Sequence, residues 1–117
     1  MSKADRKTDG AVDGRIGPAA VFAALGDSTR LRLLMTLSDG QTRSIASLSS
    51  DGRLTRQAVT KHLRVLEGAG LVASVKVGRE SRFVYRPEPM NDIRSWIDEV
   101  SVQWGDALQR LKNYVER

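Results

Sequence analysis

Gln57, Thr60, Lys61 and Arg64 recur at the spacing that puts side chains on one face of a helix, with Arg56 beside them at its first turn. They offer an amide, a hydroxyl and three cations. An amide and cations so placed can hydrogen-bond base edges in a DNA major groove, as Gln does to adenine and Arg or Lys to guanine. Thr55 stands where its hydroxyl can accept a free first-turn N–H, and it is also placed for a backbone phosphate. A solvated helix face has the same composition, so this stretch alone does not decide between the two readings.

The opposite face of the same stretch carries Val59, Leu63 and Leu66 at i, i+4 and i+7, a stripe built for burial. Gly68 and Gly70 then stop the helix. Upstream, Pro18 suits the first position of a helix over about 18–25, with Val21, Phe22 and Leu25 as its apolar face. Asp27 caps a second helix, whose expected buried stripe is Leu31, Leu34, Met35 and Leu37; Asp39–Gly40 closes it. Ser44 caps a short third helix with Ile45 and Leu48 inward, and 49–52 is a turn. Two short helices joined by a tight turn, the second with a polar outer face, form a helix-turn-helix.

After Gly70 the apolar period changes from 3.6 to 2. Leu71, Ala73, Val75 and Val77 are expected on one face, with Val72, Ser74 and Lys76 on the other. A turn over 78–81 leads to Phe83 and Tyr85, alternating with Arg82, Val84 and Arg86. This β-hairpin closes the core and also carries Arg79 and Arg82 near its tip, where cations suit phosphate contact. His62, on the fourth helix, is read as a packing or DNA-backbone residue.

Composition narrows the functional classes. The chain has 117 residues, enough for one domain with a modest core, and a net charge of +5. The excess is not uniform: residues 53–86 hold eight Lys or Arg against two Glu, while 87–117 are mildly acidic. A basic face aimed at a polyanion sorts charge in this way. There is no cysteine, which excludes disulfides and thiolate metal ligands, and the single histidine cannot build a zinc site. No Gly-x-Ser-x-Gly elbow or phosphate-cradling glycine loop occurs, so no enzyme and no cofactor are expected. The longest apolar run, Ala19–Leu25, is too short to span a bilayer, and the N-terminus has no signal-peptide pattern, which points to a cytoplasmic protein with no membrane partner.

Residues 1–15 lack an apolar period and read as a disordered tail ahead of one domain over 16–117. The last helix is expected over about 89–116. Ile93, Ile97, Val100, Trp104, Ala107, Leu111 and Tyr114 step along it by four and three, with Trp96, Leu108 and Val115 widening the stripe. Such a helix is long for so small a body, and a second copy of the chain would cover the surplus. Ile93, Ile97, Val100, Trp104 and Leu111 are the expected dimer contacts.

These features resemble the ArsR-type winged helix-turn-helix repressors, over about residues 18–115. The likeness rests on Phe22–Leu34 (FAALGDSTRLRLL), on Leu54–Glu67 (LTRQAVTKHLRVLE) with Gly70–Leu71–Val72, and on Gly78–Arg79–Glu80 leading to Tyr85. It implies a mainly α fold with a small β-hairpin, a recognition helix in the major groove, and dimerisation through the first and last helices. Metal-sensing members carry a Cys-x-Cys pair in the helix before the recognition helix; here that segment is Ile45–Ala46–Ser47–Leu48–Ser49. Metal sensing is therefore not expected. The expectation is a homodimeric repressor on double-stranded DNA that reads bases with Arg56, Gln57, Thr60, Lys61 and Arg64. It would grip the backbone with Thr55, His62, Arg79 and Arg82. The alternative is a winged-helix module whose basic face meets an acidic protein. A small-molecule effector at the dimer interface near Trp96 and Trp104 is a third, weaker reading, and its identity is unknown.

Overall fold

The computed structural model describes residues 11–12 and 15–116. Most of the expected disordered tail lies outside the described residues. Within it, β1 (Ala11–Val12) pairs antiparallel with β2 (Arg15–Ile16), an extended ladder that the polar composition did not announce.

Five helices follow: α1 (Pro18–Leu25), α2 (Ser28–Leu37), α3 (Ile45–Leu48), α4 (Arg56–Gly68) and α5 (Glu88–Val115). The hairpin is β4 (Val72–Val77) and β5 (Glu80–Tyr85), and a two-residue strand, β3 (Arg43–Ser44), adds to the free edge of β5. The architecture is mainly helical with a small antiparallel sheet and a long last helix. It is a winged helix-turn-helix.

Local chemistry sets the helix starts. The Asp27 carboxylate accepts from Arg30 N–H at 3.0 Å, Ser44 Oγ from Ser47 N–H at 3.0 Å, and Thr55 Oγ1 from Ala58 N–H at 3.0 Å. Each satisfies one donor that the first turn leaves free. The end of α4 is set by Gly70, at φ +76°, a left-handed conformation that a Cβ would strain. Its N–H donates to Glu67 O at 2.9 Å and that of Leu71 to Leu66 O at 3.0 Å, the paired bonds of a Schellman stop. The C-terminus of α1 is held from outside: Arg30 Nε donates to Ala24 O at 2.7 Å, placing a cation on the carbonyl end of the helix.

The core gathers Val21 and Ala24 of α1, Leu33, Leu34 and Leu37 of α2, and Val59, Leu63 and Leu66 of α4. Leu71, Val72, Phe83 and Ile93 close it. Three expected faces need correction. On α1, Ala24 is buried and Phe22, expected inward, is exposed. On α2, Leu33 is buried, whereas Leu31 and Met35 are exposed, Met35 at 67%. Leu33 and Leu37 lie one turn apart on the side that meets α4, while Leu31 and Met35 form the flank beside it.

In β4 the register places Val72 opposite Tyr85 and Ser74 opposite Phe83, so these residues share the inner face. The expected alternation is shifted by one. Leu71 is spent in the Schellman turn, buried before the strand begins, and the count of faces starts at Val72. Val77, expected inward, is exposed near the tip. The turn itself is only Gly78–Arg79, with Glu80 and Ser81 already paired in β5.

The helix α5 has 28 residues, about 42 Å at 1.5 Å per residue. Only Pro89 and Ile93 of it are buried. The radius of gyration is 18.6 Å, against about 13 Å for a compact chain of this length, because the distal half of α5 stands clear of the body.

Candidate nucleic-acid interface

The helix α4 is a two-sided object. Val59, Leu63 and Leu66 are wholly buried, which fixes its rotation about its own axis. That rotation turns Arg56, Gln57 and Lys61 outward, exposed and without a hydrogen bond or ion pair among the described residues. Gln57 and Lys61 are one turn apart, about 6 Å along the axis. The Thr55 cap sets where the helix begins, so the positive end of the helix dipole and Arg56 come together at its tip, a combination that favours an anion there.

The other named residues are not equally available. Thr60 is half-buried, and its hydroxyl donates to Arg56 O at 2.8 Å, leaving the oxygen as an acceptor. Arg64 is turned along the helix: its guanidinium is 2.9 Å from Glu67 and lies 5.8 Å from the centroid of the Phe83 ring. Glu67 also accepts from Ser74 Oγ at 2.8 Å. These bonds, the serine's first and the arginine's second, hold the Glu67 carboxyl below its ordinary pKa. Arg64, Glu67 and Ser74 thus clasp the end of α4 to the first strand of the wing. Nothing in the spacing of Ser74 announced that contact; the i, i+3 pairing of Arg64 with Glu67 was there to be read.

His62 does not join the outward group. Its ring is largely covered and turned to α2, with Nδ1 3.9 Å from the Asp27 carboxylate. It packs α4 against the cap of its neighbour. In the wing, Arg82 Nε donates to Glu80 at 2.7 Å and its NH1 to Thr42 Oγ1 at 3.4 Å, tying β5 to the segment before β3. Arg79, by contrast, sits exposed in the two-residue turn with no partner among the described residues. The structure therefore presents Arg56, Gln57 and Lys61 on α4 and Arg79 on the wing. It engages Arg64, His62 and Arg82 in internal contacts.

The α5 stripe also divides. Ile93 is 4% exposed and belongs to the core of the chain. Val100 is half-buried, while Ile97, Trp104 and Leu111 are exposed. Trp96 meets Phe22 of α1 edge to face at 5.6 Å. Trp104 lies 65% exposed beyond that contact, outside the core.

The fold and the outward face of α4 define a winged helix-turn-helix DNA-binding regulator. Residues 27–74 match the family described as Bacterial regulatory protein, arsR family. The HTH-type transcriptional regulator YuzN of Bacillus subtilis is 41% identical over 86 residues, covering 68% of this chain and 94% of YuzN. An ArsR-like transcriptional regulator from Rhodococcus sp. RHA1 superposes with a TM-score of 0.74 at 38% identity, covering 82% of this chain and 90% of that one. The protein belongs to the ArsR family of transcriptional regulators, a family of DNA-binding proteins and not of enzymes. The solution structure of CmtR from Mycobacterium tuberculosis, a cadmium sensor, is similar over less of the chain: TM-score 0.51 at 38% identity, covering 59% of this chain and 70% of that one.

Proposed function

We propose that this regulator is a homodimeric, cytoplasmic repressor that reads a palindromic operator with Arg56, Gln57, Thr60 and Lys61 and holds the backbone with Thr55 and Arg79. The observation that carries this reading is the unpartnered trio Arg56, Gln57 and Lys61 on the outer face of a helix whose rotation is fixed by its buried side. Arg64 reaches a base only by leaving Glu67, so it plays a smaller part, and His62 and Arg82 support the helix and wing from within. The uncovered stripe Ile97, Trp104 and Leu111 supports a symmetric dimer. Such a dimer sets two recognition helices at half-sites about 34–36 Å apart, or a multiple of that. Blocking a promoter needs only occupancy, which a winged domain supplies.

The repressor is not metal-responsive in this reading. The chain has no cysteine, and among the described residues no group of three His, Cys, Asp or Glu could hold a metal ion. The cadmium sensor it partly resembles does not lend it that chemistry, since soft metals select thiolate ligands. No helix among the described residues is long and apolar enough to cross a membrane.

The test is to select bound genomic fragments, then measure affinity for the selected operator and a scrambled duplex at several salt concentrations. Affinity for both should fall steeply with salt while the operator stays preferred by about 10³-fold or more. Zinc, cadmium or nickel ions should leave operator affinity unchanged, and a reporter promoter carrying the operator should be silenced. Equal affinity for every duplex would favour the acidic-protein partner instead.

A further inference from the structure

Away from the outer face of α4, a cleft of about 420 Å³ opens between α2, α3 and the 49–54 turn. We propose that it binds a small molecule bearing a carboxylate or phosphate, and that its occupancy is transmitted to α4. Three arginines line it, one from each wall: Arg32 on α2, Arg43 beside α3, and Arg53 in the turn. Arginine presents a planar fork of donors that matches an oxyanion two bonds at a time. Leu33, Leu48 and Leu54 supply apolar lining, and the volume is that of small-molecule sites.

The donors are only partly spent on the protein. The Arg32 guanidinium has no partner among the described residues. Arg53 forms a loose ion pair at 3.7 Å with Asp51, the one carboxylate in the cleft lining, without a hydrogen bond between the side chains. Arg43 gives one nitrogen to Asp39 at 2.6 Å, yet its Nε is fully buried with no acceptor. An oxyanion in the cleft draws on Arg32 and Arg53, the two exposed arginines of its lining.

The cleft is next to the machinery that positions α4. Arg53 and Leu54 line it, and the following residue, Thr55, is the cap that fixes where α4 begins. The turn pivots at Gly52, whose φ of +75° leaves a left-handed joint between Asp51 and Arg53. A ligand that draws Arg53 inward re-aims the first turn of α4, where Arg56 and Gln57 stand. Ligand and operator then influence each other's affinity by one common factor. This coupling rests on the assignment of α4 as the DNA reader; binding in the cleft does not.

Citrate and inorganic phosphate are the probes, added at constant ionic strength to the full ¹⁵N-labelled chain without DNA. The expected result is saturable shifts of the Leu33, Leu48 and Leu54 amides, with half-saturation near or below about 1 mM for one of the probes. Arg32→Ala, on an exposed helix surface, should weaken that binding about tenfold or more while leaving the rest of the spectrum in place. In the second arm, saturating probe should change operator affinity by about fivefold or more in the wild type and not in Arg32→Ala. Shifts that grow linearly without saturating, or that centre on Arg56, Lys61 and Arg79, overturn the site. So does binding that survives Arg32→Ala. If Arg32→Ala without any probe weakens DNA binding and makes the salt slope shallower by about one unit, the arginines serve DNA phosphate and the small-molecule assignment fails. Equal operator affinity with and without bound probe overturns the coupling.

Discussion

Trp104→Ala separates the two fates of the α5 stripe. Full burial of a large apolar side chain contributes about 1.5–3 kcal/mol. Trp104 keeps 65% of its surface exposed in the protomer, so what a second copy can add is about that share, or about 1–2 kcal/mol. A two-fold interface counts each residue twice, which raises the loss on truncation to about 2–4 kcal/mol, or about 30- to 1,000-fold in the dimer dissociation constant. The protomer itself loses little, because Trp104 is outside its core. Sedimentation equilibrium over a wide concentration range measures the first quantity, and urea unfolding well below the dissociation constant measures the second. Ile93→Ala is the internal contrast: Ile93 is 4% exposed, and its truncation should cost about 2–5 kcal/mol of folding stability at every concentration. The reasoning is refuted if Trp104→Ala leaves the dimer constant unchanged, or if it destabilises the monomer as much as Ile93→Ala does.

Gln57→Ala should lower operator affinity by about 1–3 kcal/mol and relax preference at one or two positions per half-site, whereas Arg79→Ala should weaken operator and scrambled DNA alike and flatten the salt slope by about one unit per altered contact. Titrations of both duplexes at several salts check this, and a reversal of the two patterns would exchange the roles of helix and wing. Leu63→Ala removes a side chain with no exposed surface between α4 and the rest of the core and should cost about 2–5 kcal/mol, read from the urea midpoint. Asp27 is held below its ordinary pKa by the Arg30 N–H first and then by the charges of Arg30 and His62, and Asp39 by the Gln41 N–H and then Arg43. A lowered folded-state pKa contributes stability that is complete above the unfolded value and is lost as pH falls through the folded one. The melting temperature should therefore drop as pH descends through and below about 4. Asp27→Asn keeps a capping oxygen without a titrating group and should show a shallower acid limb; an identical limb would remove Asp27 from the account.

Much of this fold was written in short-range chemistry. Asp27, Ser44 and Thr55 are each followed by a helix and accept the first-turn N–H expected of them, because a cap is decided within three residues. The α4 stripe was equally legible, since its apolar and polar faces do not compete. Where apolar residues stood on more than one face, periodicity misled. In α2, four leucines and a methionine within seven residues offer several stripes, and only the position of α4 selects Leu33 over Leu31 and Met35. In β4, Leu71 and Val72 are both buried, so the alternation could be entered at either. The strand β3 is two residues long and exists only through pairing with β5. At the interface, exposure of Arg56, Gln57, Lys61 and Arg79 followed from their spacing. The pairing of Arg64 with Glu67 and of Arg82 with Glu80 was within local reach, whereas the contacts of Arg64 with Phe83, of Arg82 with Thr42 and of His62 with Asp27 required partners that the fold brings close from other elements.

The clasp of Arg64, Glu67 and Ser74 has a consequence for how such a regulator changes over generations. It fixes the wing to the end of α4, so the distance between the two points of grip is a property of the fold. Gln57 and Lys61 stand outside every such bond, exposed and held only by the helix they ride on. Substitutions there cost folding little, being changes at exposed positions outside the core. With Gln57 and Lys61 as the base readers proposed above, a lineage can drift through new base preferences at these two positions while the spacing of its contacts stays inherited. Duplicated copies of the gene can diverge to separate promoters without first rebuilding the domain.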